Sequence, residues 1–445
     1  MPVFQRRLQY SWSSRAIAFS ALASFGLFST SSASFGASPT SGELSWDGAV
    51  REAVAWHPSV TEAIARLSAR EERISIAEAA GRPQISGGLN AGYNGAIGQG
   101  GWRPRAELSA SQMLFDFGKL KSDVAMAEAG VRIGRATLLL AVDALARDTS
   151  LAIVEIQRAR ALERVARDQL ASIGEINDLV HHRYRLGAST KSDWLQAQAR
   201  VQAAEVSIRE IGAERKRWEA NLVYLLGRAE PPQLAQDPPP PLRGACERGE
   251  PEWNDIPAMM QAHAERDEAR AERDRARADR MPTLALRGGG GSNLTDPFGR
   301  NDYNIGLNIS APLYSGGAYG ARAREAEYGL RAADAAEARV RNDIGRQLAE
   351  ARQQLQSLRE VIDTLTARQA SMSETGHLYR LQYLDMGTRT LVDLLNAQQE
   401  LHQVRFDLVH IRFDILRLEA MCLYAAGRQR EAYGLSGSRV RGVIL

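Results

Sequence analysis

Two stretches of this chain are closed to proline: none occurs from Arg105 to Glu230, and none after Pro312. Each is far longer than an ordinary helix and dense in Ala, Leu, Arg, Glu and Gln, all good helix formers. One break interrupts each stretch, at Gly187 and at Gly387, where a glycine can take a positive φ and end a helix. Ser189, Thr190 or Thr388 then stand where the cap of a following helix belongs. The pattern predicts a helical hairpin in each half, with an ascending arm over roughly Gly118–Leu186. At 1.5 Å per residue that arm is about 100 Å long, a rod rather than part of a globule.

The two hairpins are copies of one unit. GASTKSDWLQAQARV (187–201) and GTRTLVDLLNAQQEL (387–401) open a gap-free match of Gly187–Arg228 with Gly387–Arg428, thirteen identities in forty-two columns at an offset of 200. At an offset of 199, MLFDFGKL (113–120) meets PLYSGGAY (312–319), and AEAGVR (127–132) meets AEYGLR (326–331). The chain is an internal duplication, with units Leu44–Arg228 and Pro257–Arg428. Between them Ala229–Ile256 is a proline-rich crossover with too little apolar content for a core. Residues 429–445 form a tail with no counterpart in the first copy. In the last helix Leu401, Val404, Leu408, Ile411, Ile415, Leu418 and Cys422 step by three and four. The first copy answers with Val201, Ala204, Ile208, Ile211, Trp218 and Leu222, broken at Arg215. Helix packing explains such seams without a ligand.

Before each rod the period changes to two. In YNIGLNISAPL (303–313) Tyr303, Ile305, Leu307, Ile309, Ala311 and Leu313 alternate with polar or small residues, and in QISGGLNAGY (84–93) Ile85, Leu89, Ala91 and Tyr93 do the same. Ala106–Leu114 and Thr283–Gly289 alternate more weakly. Four strands of about nine to eleven residues, paired across the Gly-, Asn- and Asp-rich loops GAIGQGGW and NLTDPFGRN, have the length and two-faced pattern of outer-membrane barrel strands. Four strands cannot close a barrel, and an open edge leaves backbone groups unpaired in lipid, so the chain is expected to oligomerise.

Charge excludes one partner class. With 56 basic and 53 acidic residues interspersed, and only four lysines, no one-signed patch for nucleic acid is visible. Arg6 and Arg7, the apolar run Ala16–Phe28 and the small-residue zone STSSASFGAS read as a secretory signal peptide within residues 1–37, cleaved after Ala33 or Ala37. No cysteine for a lipid anchor stands near that zone. Cys246 and Cys422 read as two unpaired thiols. Adjacent His181 and His182 point apart on a helix and read as solvated surface. Gly288–Gly291 lacks the Lys and Ser/Thr of a phosphate loop. No G-x-S-x-G, C-x-x-C or H-E-x-x-H occurs, so neither an enzyme nor a cofactor or metal site is expected.

Two strands and a long helical hairpin, written twice behind a signal peptide, resemble the TolC family of Gram-negative outer-membrane export ducts. The carrying motifs are HPSVTEA (57–63), RPQISGGLNAGY (82–93), MLFDFGK (113–119), RYRLG (183–187), RMPTLALRGGG (280–290), PLYSGG (312–317) and GTRTLVDLLNAQ (387–398). The resemblance implies a mixed α/β membrane protein. Three chains would form a twelve-stranded outer-membrane β-barrel continuous with a long periplasmic α-helical barrel, the repeated phrase marking the hairpin tips at Gly187 and Gly387. It implies a periplasmic gate, with Arg389 latching to Asp193, and a pore ring at Asp393. The second ring position is Asn396 rather than an acid, which weakens the implied cation preference. The family's latch tyrosine falls at Leu384, with Tyr383 one residue away. The implied partners are a periplasmic adaptor protein and an inner-membrane ABC transporter, with type I secretion of a polypeptide such as an RTX toxin as the task. Multidrug efflux with an RND pump is the alternative within the family, and a periplasmic coiled-coil scaffold without a pore is the alternative outside it.

Overall fold

The computed structural model describes residues 43–94, 101–294 and 302–445. The expected signal peptide, and residues 95–100 and 295–301 of the strand-connecting loops, lie outside the described residues. The first copy runs α1 (Trp46–Trp56), α2 (Pro58–Ala79), β1 (Gln84–Asn94), β2 (Gly101–Phe115), α3 (Lys119–Arg185) and α4 (Lys191–Leu226). The second runs α5 (Pro257–Ala278), β3 (Thr283–Asn293), β4 (Asp302–Ser310), α6 (Ala318–Leu381) and α7 (Leu391–Ala425). A short α8 (Gln429–Ala432) and a hairpin of β5 (Arg439–Val440) and β6 (Val443–Ile444) close the chain.

The four long strands form one antiparallel sheet in the order β1-β2-β3-β4. Register places Ile85, Leu89 and Tyr93 opposite Ala110, Ala106 and Trp102, and carries that face through Leu286 and Gly288 to Leu307 and Ile305. On it Ile85, Leu89, Ile305 and Ile309 are between 72% and 78% exposed, an apolar surface that water alone does not favour. The opposite face carries Ser86, Gly88, Asn90, Glu107, Ser109, Asn304 and Asn308. Aromatic pairs mark both ends: Tyr93 against Trp102 near the connecting loops, and Phe115 against Phe117 where the sheet meets the helices. Such an apolar band with aromatic borders fits a bilayer. Among the described residues no helix is long and apolar enough to cross a membrane. Two expected limits shift. β2 has 15 residues, longer than expected. β4 stops at Ser310, so Ala311 and Leu313 leave the sheet and Leu313 is 95% exposed.

Strand order sets helix order. α2 enters β1, α3 leaves β2, α5 enters β3 and α6 leaves β4, and α2, α3, α5 and α6 pack side by side in that sequence. Farther from the sheet α4 and α7 take the places of α2 and α5 beside α3 and α6. Two left-handed glycines make the exchange, ending α4 at Gly227 (φ 68°) and α7 at Gly427 (φ 69°). A Cβ on Gly227 would stand 2.2 Å from the Trp56 ring, and one on Gly427 3.0 Å from Ile256 Cα. So α4 and α7 end against the residues that precede Pro58 and Pro257, the first residues of α2 and α5. The break at Arg215 is equally local, since its guanidinium leaves the seam to bind Glu163 on α3 at 3.2 Å and Glu219 at 2.7 Å.

The main core gathers where these exchanges occur. Trp46, Val50, Leu138, Ile153, Leu222, Leu242, Met259, Leu355 and Leu423 are buried there, drawn from both copies and the crossover. The tail belongs to it. Tyr433 is buried, with its hydroxyl 2.7 Å from Ser150 Oγ, and Arg430 Nε lies 3.2 Å from Asp143 Oδ1. Burial pushes the Asp143 carboxyl up to about 7 against the pull of Arg430. Arg441 reaches back to the carbonyls of Ala55 and Trp56 at 3.3 and 3.1 Å.

The cysteines correct the reading of two free thiols. Cys246 and Cys422 form a disulfide between the crossover and α7, across a separation of 176 residues. Polar contacts surround it: Arg352 Nε donates to Cys246 O at 2.8 Å, Gly244 N to Glu419 Oε1 at 3.0 Å, and Arg359 pairs with Glu247. The crossover is therefore strapped to α6 and α7. Without reductant, thiol titration of the unfolded protein is expected to find no free thiol. Cys246→Ser is expected to lower stability by about 2–4 kcal/mol, read as the thermal midpoint by circular dichroism.

Candidate functional site

The chain reverses direction twice at the end of the rods, about 100 Å from the sheet by the length of α3. Both reversals are built alike. Gly187 (φ 75°) and Gly387 (φ 63°) are left-handed, and Thr190 and Thr390 cap α4 and α7. In each cap threonine Oγ1 accepts the aspartate N–H (3.1 Å at Asp193, 3.2 Å at Asp393). Aspartate Oδ2 accepts the threonine N–H in return, at 3.1 Å in both. These are reciprocal capping boxes, with an acid where the helix dipole favours it. The backbone N–H of Thr190 is the main reason the Asp193 carboxyl lies below its ordinary range, and that of Thr390 does the same for Asp393. Thr388, an expected capping candidate, does not cap α7.

The second reversal is one residue longer. In the first, Ala188 N donates to Arg183 O at 2.8 Å; in the second, Thr388 N donates to Gln382 O at 3.1 Å. Positions 188 and 388 differ by 200, but 183 and 382 by 199, so the extra residue of the second copy lies between Gln382 and Gly387. A single π turn, Gln382–Met386, takes it up, the usual accommodation of a one-residue insertion in a helix. Tyr383 in that turn is 8% exposed. It packs with Ile176, Val180, Ala197, Leu391, Leu394 and Leu395 in a small core joining the two hairpins. The Arg183 guanidinium lies 5.1 Å from its ring centre, and Arg380 pairs with Glu175 at 3.0 Å beside it. Tyr383 thus fills the core, and Leu384 packs at its margin.

Asp193, Arg389, Asp393 and Asn396 all sit at these tips, and Arg389 and Asn396 are exposed. Arg389 stacks 4.5 Å over the Tyr379 ring and places Nε 3.2 Å from Gln382 Oε1. Among the described residues no ion pair joins Arg389 to Asp193 within one protomer. Asp393 and Asn396 stand about one turn apart on α7. His181 is not simply solvated: it stacks on Trp194 with ring centres 4.8 Å apart, and Tyr184 stacks on the same indole at 5.7 Å. His402, which sequence reasoning passed over, is fully buried on α7, and neither ring nitrogen has a hydrogen-bond partner. Its signal was a polar residue beside the seam position Leu401, matched by Gln202 in the first copy.

The polar-lined sheet, the rods and the paired tips occur together in known proteins. The model of the outer membrane efflux protein family matches residues 49–228 and 254–421, both repeats with most of the crossover left out. The chain belongs to that family. This efflux protein is 25% identical over 379 residues to the outer membrane efflux protein BepC of Brucella suis biovar 1 (strain 1330), covering 82% of this chain and 81% of BepC. It is also 25% identical over 386 residues to the outer membrane protein TolC of Salmonella enteritidis, covering 81% of this chain and 77% of TolC. The fold matches a crystal structure of CusC with a TM-score of 0.78 at 19% identity, over 86% of this chain and 91% of the other. The family is one of transport channels, not of enzymes. The efflux protein is accordingly an outer-membrane channel, and its long helices stand in the periplasm.

His402 gives these periplasmic helices a pH dependence. Burial pushes its imidazole down from 6.5 to about 4, so the folded ring stays neutral where the unfolded one takes up a proton. Stability is therefore expected to fall as pH drops from about 6.5 to about 4, by at most about 3 kcal/mol. His402→Gln, which copies position 202, is expected to flatten that part of a plot of thermal midpoint against pH.

Proposed function

We propose that three copies of this efflux protein close a twelve-stranded barrel and a continuous helical tunnel, forming the outer-membrane duct of a tripartite export system. The carrying observation is the four-stranded sheet: its outer strands β1 and β4 have one neighbour each, and one of its faces is apolar. An open edge is untenable in lipid, and pairing β4 of one copy with β1 of the next removes every edge. A coiled-coil scaffold without a pore has no use for such a sheet. The duct takes substrate from an inner-membrane transporter through a periplasmic adaptor, and the transporter supplies the energy.

The cargo we favour is an unfolded polypeptide exported by type I secretion, RTX toxins being the model class, with an ABC transporter as the pump. The GTRTLVDLLNAQ tip supports this reading, as does the polar face of the sheet, whose Gly, Ser and Asn residues leave a wide bore. Multidrug efflux with an RND pump is the second reading, favoured by the likeness to efflux proteins.

At rest the tips close the duct. Asp193 spends Oδ2 on its cap and keeps Oδ1 for a neighbour, and Arg389 is exposed on the facing hairpin. Their pairing across a protomer boundary would be charge-assisted, and the Asp393 and Asn396 rings would line the entrance behind it. Detergent-purified protein imaged by electron microscopy is expected to show a three-fold cylinder; monomers or dimers without a barrel would overturn the assembly. Arg389→Ala is expected to raise single-channel conductance in planar bilayers. An unchanged conductance with the trimer intact would remove the latch.

A further inference from the structure

The four consecutive glycines of β3, Gly288–Gly291, have no task in the reading so far. Register puts two of them on the polar face: Gly289 between Ser109 and Asn304, and Gly291 between Glu107 and Asp302. Arg105 uses the space they leave. Its side chain starts on β2, crosses β3 over Gly291 and places Nη2 3.0 Å from Asp302 Oδ2 on β4, while Nε stays 3.3 Å from Glu107 Oε1. Strands lie about 4.8 Å apart, so this reach spans about 10 Å. A Cβ at position 291 would stand 2.7 Å from Arg105 Nε and 2.8 Å from Nη2, which only glycine avoids. Asn90 Nδ2 donates to Glu107 Oε2 at 3.4 Å, so polar contacts cross the whole sheet from β1 to β4. An open depression of about 430 Å³ beside them is lined by Ser86, Gly88, Ser109, Gly289 and Asn304.

The position is as informative as the chemistry. Asp302 is the first residue of β4, and Arg105 pairs in register with Asn90, near the end of β1. The cluster therefore lies toward the connecting loops, at the end of the sheet opposite the rods. Because the other face is apolar, the face with Arg105 turns inward when the sheet closes.

We propose that Arg105, Glu107 and Asp302 form a charged collar inside the outer mouth of the duct, a second place where ions and charged cargo segments are discriminated, far from the tips. The inference rests on the three-copy barrel. Within the cluster one guanidinium faces two carboxylates, a pattern that the three-copy barrel repeats three times around a low-dielectric wall. The strut across Gly291 fixes the height at which those charges act.

Reversal potentials in planar bilayers under a low-salt potassium chloride gradient, where screening is weakest, test this with the full-length protein. Arg105→Ala is expected to shift the potential toward that of potassium, and Asp302→Asn toward that of chloride. Gly291→Ala keeps every charge but displaces the guanidinium, and is expected to change conductance or reversal potential with the trimer intact. If trimeric channels form and all three variants keep the wild-type potential and conductance, the collar is wrong while the duct stands. If the wild type forms no channel, the barrel reading fails and the collar with it. Shifts of opposite sign for Arg105→Ala and Asp302→Asn support the collar.

Discussion

Backbone hydrogen bonding at the outer edges of β1 and β4 governs what this chain can be. A strand in lipid has no water to satisfy its N–H and C=O groups, and four strands are too few to satisfy one another by closing. The remaining architecture is arranged around that sheet. Each strand runs into a helix, so the lateral order β1-β2-β3-β4 is transcribed into α2, α3, α5 and α6. Where α2 and α5 give out, the glycine-closed ends of α4 and α7 continue the same four-wide layer. The layer then has two outer flanks along its length, and in the proposed three-copy assembly the operation that joins strand edges would also join helix flanks.

Much of this was legible in the sequence because it is written in local periods. Proline-free, Ala- and Leu-rich spans gave the rods, alternation of Ile, Leu and Tyr with Ser, Gly and Asn gave the strands, and Gly187 and Gly387 gave the reversals. The duplication made weak strand signals persuasive by repeating them. Thr190 was legible as a cap, but the part that Asp193 and Asp393 take in reciprocal capping boxes was not read, although Thr-x-x-Asp has that spacing in both copies.

What escaped depends on contacts between distant residues. The Cys246–Cys422 bond joins a loop to a helix 176 positions on, and two cysteines alone give no hint of that proximity. The short helices α1, α2 and α5 were overshadowed by the rods they pack on. His402 looked like one polar residue in a mixed seam until its neighbours sealed it off. The limit of β4 was overrun because alternation continues through Ala311 and Leu313 after the ladder bonds have stopped. The one-residue change of offset was visible in the alignment, but only backbone hydrogen bonds locate it in the turn at Gln382–Met386.

That extra residue bears on symmetry. Duplicated chains assembled in threes approach a six-fold arrangement of hairpins, and capping boxes of matching geometry at Thr190 and Thr390 keep the tips close to it. The π turn breaks the equivalence, because one hairpin of every pair reaches its reversal one residue later and with a tyrosine folded inward. The two tips of each chain are thus of two kinds, which would alternate around the proposed three-copy assembly. In the proposed three-copy assembly, a partner that met this end would face three hairpins with the π turn and three without it, a difference by which it could tell them apart.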